Sequence, residues 1–281
     1  MPLALLLYTA LALLAFAGNS VLCRLALGAG HIDAAGFTLV RLGSGIGVLL
    51  LLVLLHHRGR RPPVGGSWLA ALYLFTYAVT FSWAYLSLDT GTGALILFAA
   101  VQLSMIGVSL WSGMRPGRLE WLGLLVALCG FVYLVLPGLS TPSWHGFLLM
   151  SLAGVAWGAY TLRGRGSRNA LNDTAWNFLR TLPLLVLLWL ASWPQLQADS
   201  TGLLLAVLSG GVTSGLGYAL WYAALPGLGA TQAAVLQLLV PVLSALGGVL
   251  FTGEVLNFRL VLASVLVLGG IMLVLLGRQR G

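Results

Sequence analysis

Long apolar runs separated by short polar or Pro/Gly-rich breaks dominate this sequence. The hydrocarbon core of a bilayer takes roughly 20 apolar residues per helix, and ten runs approach that length. They cover residues 3–27, 35–55, 67–88, 90–111, 119–137, 144–162, 173–193, 202–225, 230–251 and 259–277. The least distinct break runs from Asp89 to Gly93, so nine spans is the competing count. The pattern predicts an all-α integral membrane protein with ten transmembrane helices.

The arginines favour ten spans over nine. Cytoplasmic loops of membrane proteins carry an excess of basic residues. With the N-terminus inside, most of the arginines lie in inner loops or the C-terminal tail: Arg58, Arg60, Arg61, Arg115, Arg118, Arg163, Arg165, Arg168, Arg278 and Arg280. Nine spans would place the later clusters outside. Both termini are therefore expected on the cytoplasmic side.

Composition agrees with a membrane location. Hydrophobic residues make up 59% of the chain and charged residues 7%, with a mean hydropathy of +1.00, whereas soluble domains carry roughly a quarter charged residues. A soluble enzyme is thereby excluded. The net charge of +8 comes from arginines that flank apolar runs, so the expected partner is the lipid bilayer and not nucleic acid. Cys23 and Cys129 lie in apolar runs without metal-ligand spacing, so no metal or other cofactor is expected.

Corresponding positions in the two halves of the chain indicate a duplication. The matched pairs, at offsets of 139, 140 and 136, are Phe37–Arg41 with Trp176–Arg180, Gly18–Ser20 with Gly158–Tyr160, Gly93–Ala94 with Gly229–Ala230, and Gly117–Arg118 with Gly253–Glu254. The predicted repeats are residues 1–140 and 141–281. Because each holds five helices, an odd number, the second is inverted relative to the first. Inverted repeats that share a midplane cavity are typical of carriers that work by alternating access.

The second half resembles the repeat of the drug/metabolite transporter superfamily, in its EamA branch. The resemblance rests on Tyr222, Gly229-Ala230, Pro241, Gly253-Glu254 and Gly269-Gly270, with the intramembrane Arg41 and Arg180 in support. The first half is more divergent, with Met105 and Arg118 at the positions of Pro241 and Glu254. The resemblance implies a bacterial inner-membrane exporter of aromatic or neutral amino acids and related metabolites, acting as a monomer. Another neutral metabolite or a drug-like solute is the alternative substrate.

Polar and aromatic residues within the predicted spans are candidates for binding this small-molecule substrate, because polar groups inside a membrane need a partner or a function. Amides in matching helices suit a zwitterion, and mid-span rings suit an apolar or aromatic side chain. The alternatives are an interhelical hydrogen bond for each amide and ordinary packing for each ring. The candidates are Asn19, Tyr77, Phe81, Gln102, Trp157, Tyr160, Tyr218 and Gln237.

Three further residues are assigned structural or gating roles. Arg41 and Arg180 each lie about two turns into a span, where a guanidinium requires pairing or snorkelling. We expect them to support their own halves, with attraction of substrate carboxylates as the alternative. Pro241 lies midway along the ninth span. It frees a backbone carbonyl and is a candidate hinge.

The missing groups restrict the function further. None of the six acids and no histidine lies mid-span, which disfavours organic cations and proton coupling through a buried carboxylate. No phosphate-binding Gly-rich loop occurs. A membrane lipid enzyme is disfavoured because His56, His57 and His145 have no acid near them in sequence. A passive channel remains as a further alternative.

Overall fold

The computed structural model describes residues 3–58, 63–111, 117–135, 142–164, 167, 169–224, 227–228 and 236–280. Helices account for most of them: α1 (Leu3–Gly28), α2 (Ala34–His56), α3 (Trp68–Ala84), α4 (Thr90–Trp111), α5 (Arg118–Val135), α6 (Trp144–Gly164), α7 (Ala170–Leu179), α8 (Leu182–Ser192), α9 (Ser200–Val207), α10 (Gly217–Ala224), α11 (Leu239–Gly247) and α12 (Phe258–Arg280). Leu208–Leu216, called the π segment below, is π-helical and joins α9 to α10. A second π-helical stretch, Gly248–Thr252, extends α11.

Six helical stretches among these residues are long and apolar enough to cross a bilayer: α1, α2, α4, the α7–α8 run, the α9–α10 run and α12. The α3 helix and the Leu239–Thr252 stretch are shorter apolar helices. Many leucines and valines on the surface of the described residues are exposed, as expected where helices contact lipid instead of water. The chain is a multi-pass, all-helical membrane protein.

Two predicted spans differ in detail from the helices observed. The break expected at Asp89 to Gly93 is present but earlier, because α3 ends at Ala84 and α4 already begins at Thr90. The predicted seventh span is divided at Arg180 and Thr181, between α7 and α8. Pro183 occupies the first turn of α8, where proline is well tolerated. This proline agrees with a new helix start that hydropathy alone does not reveal.

Polar residues between the apolar runs begin several helices. Asp33 accepts a hydrogen bond from the Gly36 backbone N–H at 2.9 Å and caps α2. Ser67 caps α3 in the same way, and Asp199 caps α9. Side-chain oxygens at these positions satisfy backbone N–H groups that have no partner within the helix. The polar breaks therefore fix where the helices start.

The helices pack mainly as pairs that are distant in sequence. The α5 helix packs along α12, while α6 packs against α3 and α4. The α1 helix contacts the π segment, α10 and α11, and α2 lies against the π segment. Helices from both halves of the sequence therefore surround the centre of the protein.

The contact between α5 and α12 depends on a glycine at Gly270. A Cβ there would lie 2.5 Å from the backbone nitrogen of Ala127 and 2.6 Å from the carbonyl oxygen of Gly123. Both neighbours are backbone atoms, which cannot rotate away. At the adjacent Gly269, a Cβ would meet nothing within 4 Å. Only one residue of this Gly-Gly pair is required for close helix packing.

We predict that Gly270→Ala destabilises the protein by roughly 1–3 kcal/mol, the usual cost of overpacking. Gly269→Ala is the matched control, and it should be neutral or slightly stabilising because alanine favours the helix. Thermal unfolding of the purified variants in detergent measures both effects. Equal melting temperatures would contradict the proposed α5–α12 contact.

Candidate substrate site

A small polar and aromatic cavity lies at the centre of the helices. Its volume is about 20 Å³, which is enough for one water molecule but not for an amino acid. The helices that line it come from both halves of the sequence. Its lining consists of Phe16, Asn19, Ser20, Tyr77, Phe81, Leu97, Phe98, Trp157, Thr213 and Tyr218. The cavity is therefore contracted relative to the size of an amino acid.

Asn19 connects α1 to α3 and to the π segment. Its amide nitrogen donates to the Tyr77 hydroxyl at 3.4 Å. Its carbonyl oxygen accepts from the hydroxyls of Ser209 at 2.7 Å and Thr213 at 3.3 Å. These groups are almost fully buried, and buried polar groups of this kind need such partners. The same contacts would place an amide and several hydroxyls around a solute once the cavity widened.

Arg41 extends from α2 to the polar cluster formed by Asn19, Tyr77, Ser209 and Thr213. It is only 1% exposed. Its Nη2 donates to the Tyr77 hydroxyl at 3.0 Å, and its Nε donates to Ser214 at 3.4 Å. Its guanidinium carbon also lies 5.1 Å from the ring centre of Tyr77 and 4.9 Å from that of Phe81. Arg41 therefore lies directly behind two residues of the cavity wall.

The backbone of the π segment packs closely against the backbone of α2 at Arg41. A Cβ at Gly210 would overlap the carbonyl of Arg41, so glycine is required for the two backbones to approach this closely. The wider π-helical winding then presents Ser209 and Ser214 on the side of α1 and α2. Single π-helical stretches within longer helices are frequently found at functional sites.

Aromatic rings form the rest of the wall. The ring of Trp157 lies 5.0 Å from that of Tyr77 and 4.9 Å from that of Tyr218. Phe16 makes an edge contact with Tyr218 at 5.9 Å. Such rings offer faces and edges for an apolar or aromatic side chain. The cavity combines one polar wall with an aromatic remainder.

A larger vestibule of about 610 Å³ opens on one side of the protein. Residues from the stretch before α3, from the end of α6 and from α7 line it, and they include Ser67, Tyr160, Arg163 and Asp173. Tyr160 stacks on Trp157, with ring centres 5.4 Å apart. Since Trp157 faces the central cavity, this stacked pair lies between the vestibule and the cavity.

Charged residues close the opposite side. Glu254 accepts from Arg24 Nε at 3.2 Å and from the Thr90 backbone N–H at 2.9 Å. Arg24 also donates to the Tyr85 carbonyl at 3.2 Å. The cluster joins the end of α1, the start of α4 and the residue stretch after α11. Glu254 is 14% exposed, so its interactions are shielded from water.

Asp89 belongs to the same cluster but contributes less. It lies 3.5 Å from Arg24 and is 57% exposed, and exposed ion pairs stabilise proteins little. Burial, together with the nearby Glu254 carboxylate, raises the pKa of Asp89 despite the opposing effect of Arg24. Glu254 is therefore the principal anion of this closure.

A second polar connection on this side joins the α1–α2 turn to the stretch before α9. His31 Nδ1 lies 2.7 Å from a carboxylate oxygen of Asp199, and Asp33 accepts from the Gln197 backbone N–H at 2.8 Å. The Gly202 backbone N–H and the His31 ring lower the pKa of Asp199. The Asp199 carboxylate therefore stays charged at pH values below the ordinary pKa of an aspartate. Its ion pair with His31 is lost only as pH falls through that lowered pKa.

The structure brings together five of the eight predicted substrate residues. Asn19, Tyr77, Phe81, Trp157 and Tyr218 all line the cavity. Tyr160 lines the vestibule instead.

The remaining two candidates are glutamines outside this lining. Gln102 is buried in α4, and Gln237 is half-buried just before α11. Their contact with substrate stays a prediction.

Sequence reasoning missed several lining residues, among them Phe16, Phe98 and Thr213. It also missed Ser209, which binds Asn19. Phe16 lies one helical turn before Asn19, so helical spacing from that recognised residue was an available signal. Ser209 and Thr213 lie one turn apart, but neither was recognised from the sequence.

Arg180 and Pro241 lie away from the central cavity. Arg180 donates to the Gly65 carbonyl and lies near the rings of Trp68 and Trp176, so it ties α7 to the stretch before α3. The turn at Leu238 interrupts the helix three residues before Pro241. This break agrees with the carbonyl that the proline leaves unpaired. Gating by either residue stays a prediction.

The predicted motif at Gly229-Ala230 lies outside the described residues. No group of three or more His, Cys, Asp or Glu positioned for a metal occurs in the part of the chain that the structure describes.

Helices from both halves surround a buried polar cavity inside a multi-pass membrane protein, an arrangement typical of solute carriers. Residues 144–276 match the EamA-like transporter family. A Pseudomonas aeruginosa protein of uncharacterized function is 55% identical over 275 residues, which cover 97% of this chain and 95% of that protein. An uncharacterized transporter of Archaeoglobus fulgidus is 25% identical over 244 residues, covering 80% of this chain and 82% of its own.

The fold also matches a solved crystal structure, with a TM-score of 0.65 at 21% identity, covering 94% of this chain and 97% of that one. The chain belongs to the EamA-like transporter family. It is a membrane transporter of small solutes, from a family of transporters and not of enzymes.

Removal of the Tyr77 hydroxyl should weaken the cluster, because that oxygen accepts from both Arg41 and Asn19. We predict that Tyr77→Phe destabilises the protein by about 1–3 kcal/mol, the cost of leaving a buried donor unsatisfied. Tyr73→Phe, one turn earlier in α3 and away from the cavity, is the control. Thermal unfolding in detergent compares them, and equal losses would argue against the cluster.

Neutralising Glu254 should open the side that the charged cluster closes. We predict that Glu254→Gln speeds labelling of Ser20→Cys by a membrane-impermeant thiol reagent about tenfold, given the usual strength of charge-assisted hydrogen bonds. Asp89→Asn is the control, and it should change the rate little because its ion pair is exposed. Cys23→Ser and Cys129→Ser remove the background thiols. Equal rates in both variants would contradict the assigned closure.

Proposed function

We propose that this protein exports aromatic or neutral amino acids and related metabolites across the bacterial inner membrane. In this proposal ten spans form two inverted five-helix repeats, residues 1–140 and 141–281, with both termini cytoplasmic. The protein works as a monomer by alternating access. The proposal rests on the family membership together with the resemblance of the sequence to exporters of this kind.

The central cavity is the observation that carries the proposal. Asn19 and Tyr77 come from the first half of the chain, and Trp157 and Tyr218 come from the second. A cavity shared between two halves changes its exposure when the halves exchange conformations. Its aromatic wall suits an apolar or aromatic side chain, and its amide and hydroxyls suit a polar head group.

The two ends of the molecule support one state of this cycle. Arg58 and Arg163 lie on the side of the vestibule, which the distribution of arginines assigns to the cytoplasm. A solute would enter there, displace the stacked Trp157 and Tyr160, and occupy the cavity. Release would follow when the cluster of Arg24 and Glu254 separates on the outer side.

Among the described residues, no acidic or histidine side chain lines the cavity. A cationic solute would therefore find no carboxylate in this lining to balance its charge. The lining also offers no acid or histidine to relay a proton. Movement down the gradient of the solute requires neither. This arrangement supports facilitated efflux over drug–proton exchange.

Counterflow into liposomes tests the function. Liposomes that contain the purified protein and are loaded with unlabelled L-phenylalanine should accumulate external labelled L-phenylalanine transiently and saturably. Trp157→Ala should slow this flux about tenfold, because it removes aromatic contacts at the cavity. Trp144→Ala, in the same helix but 57% exposed, is the matched control and should retain the flux.

Rates equal to those of empty liposomes across a panel of amino acids would rule out this substrate class. Single-channel currents with flux that does not saturate would identify a channel instead.

A further inference from the structure

The charge of Arg41 has no acidic partner among the described residues. Its two hydrogen bonds are to the hydroxyls of Tyr77 and Ser214, which are neutral. Its Nη1 is buried and has no hydrogen-bond partner within the part of the chain that the structure describes. A buried guanidinium normally pairs with an anion, because burial without one is costly.

The other acids near this region are already occupied. Glu254 and Asp89 pair with Arg24, which lies at the end of α1 and not beside Arg41. The rings of Tyr77 and Phe81 offset part of the Arg41 charge through their π faces. The remaining positive charge lies directly behind the cavity wall.

Arg180, at the corresponding position of the second half, has a different environment. It is only half-buried, and it donates to a backbone carbonyl at the edge of the vestibule. A purely structural arginine needs a partner of this kind. Arg41 lacks one at Nη1, so the duplicated position has a distinct role in the first half.

The cavity contains no matching group for a cation. The polar side chains in its described lining are an amide and hydroxyls, without a carboxylate or a histidine. An ammonium group would receive only neutral acceptors here, while the nearest full charge would repel it. A carboxylate would receive the fork of N–H donors that guanidinium groups offer to such anions.

We propose that Arg41 binds the carboxylate of the solute, and that the site selects aromatic or apolar monocarboxylates with little dependence on an ammonium group. This inference rests on the proposed transport site and narrows its substrate class. Amino acids then bind through the carboxylate, and the same acids without an amino group bind as well. Widening of the contracted cavity brings the anion to Nη1.

Three ligands that differ by one group test the inference on purified protein. L-phenylalanine carries both charges, 3-phenylpropionate lacks the ammonium, and 2-phenylethylamine lacks the carboxylate. Titration of each ligand in thermal-shift experiments gives apparent affinities without requiring transport. Both acids should bind about tenfold or more tightly than the amine, given the usual strength of charge-assisted hydrogen bonds.

Two variants separate the role of Arg41 from a general effect of removing an arginine. In Arg41→Gln the preference for acid over amine should fall close to unity. In Arg180→Gln the preference should persist, since that residue lies outside the cavity. If Arg41→Gln fails to fold, the comparison of the three ligands on the unmodified protein still decides whether the site selects a carboxylate over an ammonium group.

Equal binding of the amine and the acids would overturn the inference, as would absence of any thermal shift with either acid. An unchanged preference in Arg41→Gln would overturn it too. Thermal shifts with the acids but no counterflow in liposomes would refute the proposed transport while leaving the Arg41 site intact.

Discussion

One buried positive charge constrains the centre of this protein. Arg41 can lie inside an apolar core only if neighbouring elements supply hydrogen-bond acceptors and ring faces around it. Two elements contact its guanidinium: α3 through Tyr77 and Phe81, and the π segment through Ser214. The α1 helix takes part indirectly, because Asn19 donates to the same Tyr77 hydroxyl. Their polar groups leave less freedom in the packing than apolar contacts alone, because hydrogen bonds fix direction as well as distance. The position of the cavity follows from this arrangement.

The π segment shows how the backbone accommodates that charge. Its glycine at Gly210 allows the chain to approach the carbonyl of Arg41. A regular α-helix with larger residues would hold the two elements further apart and remove the hydroxyls of Ser209 and Ser214 from reach. The irregular winding is therefore explained by the side chains that it brings to the core. It also places a less regular stretch of helix beside the cavity, where a change of conformation requires the least disruption of other packing.

Much of this organisation was predictable from the sequence, and the part that was not has a physical reason. Run lengths located the helices because a bilayer imposes them, and rare mid-span polar residues such as Asn19 pointed to the cavity. It was harder to predict which face of each helix points to the interior of the protein, since helices that are apolar all round give no periodic signal. Gln102 and Gln237 therefore looked equivalent to Asn19 but lie outside the lining. The π segment has no sequence signature apart from its small residues. The number of spans and the inverted repeat remain predictions.

The two charged regions obey different physical limits. Arg24 and Glu254 lie at a helix end, so when they separate each can be solvated by water, and their pairing can be broken and reformed in a transport cycle. Arg41 lies too deep for water to replace a partner in the contracted state. It must keep its neutral acceptors throughout, or exchange them for an anion that arrives with the solute. In such a transporter, one end is closed by Arg24 and Glu254, whose charges water can compensate when they separate. The charge of Arg41, which water cannot reach, is compensated by the anionic group of the solute.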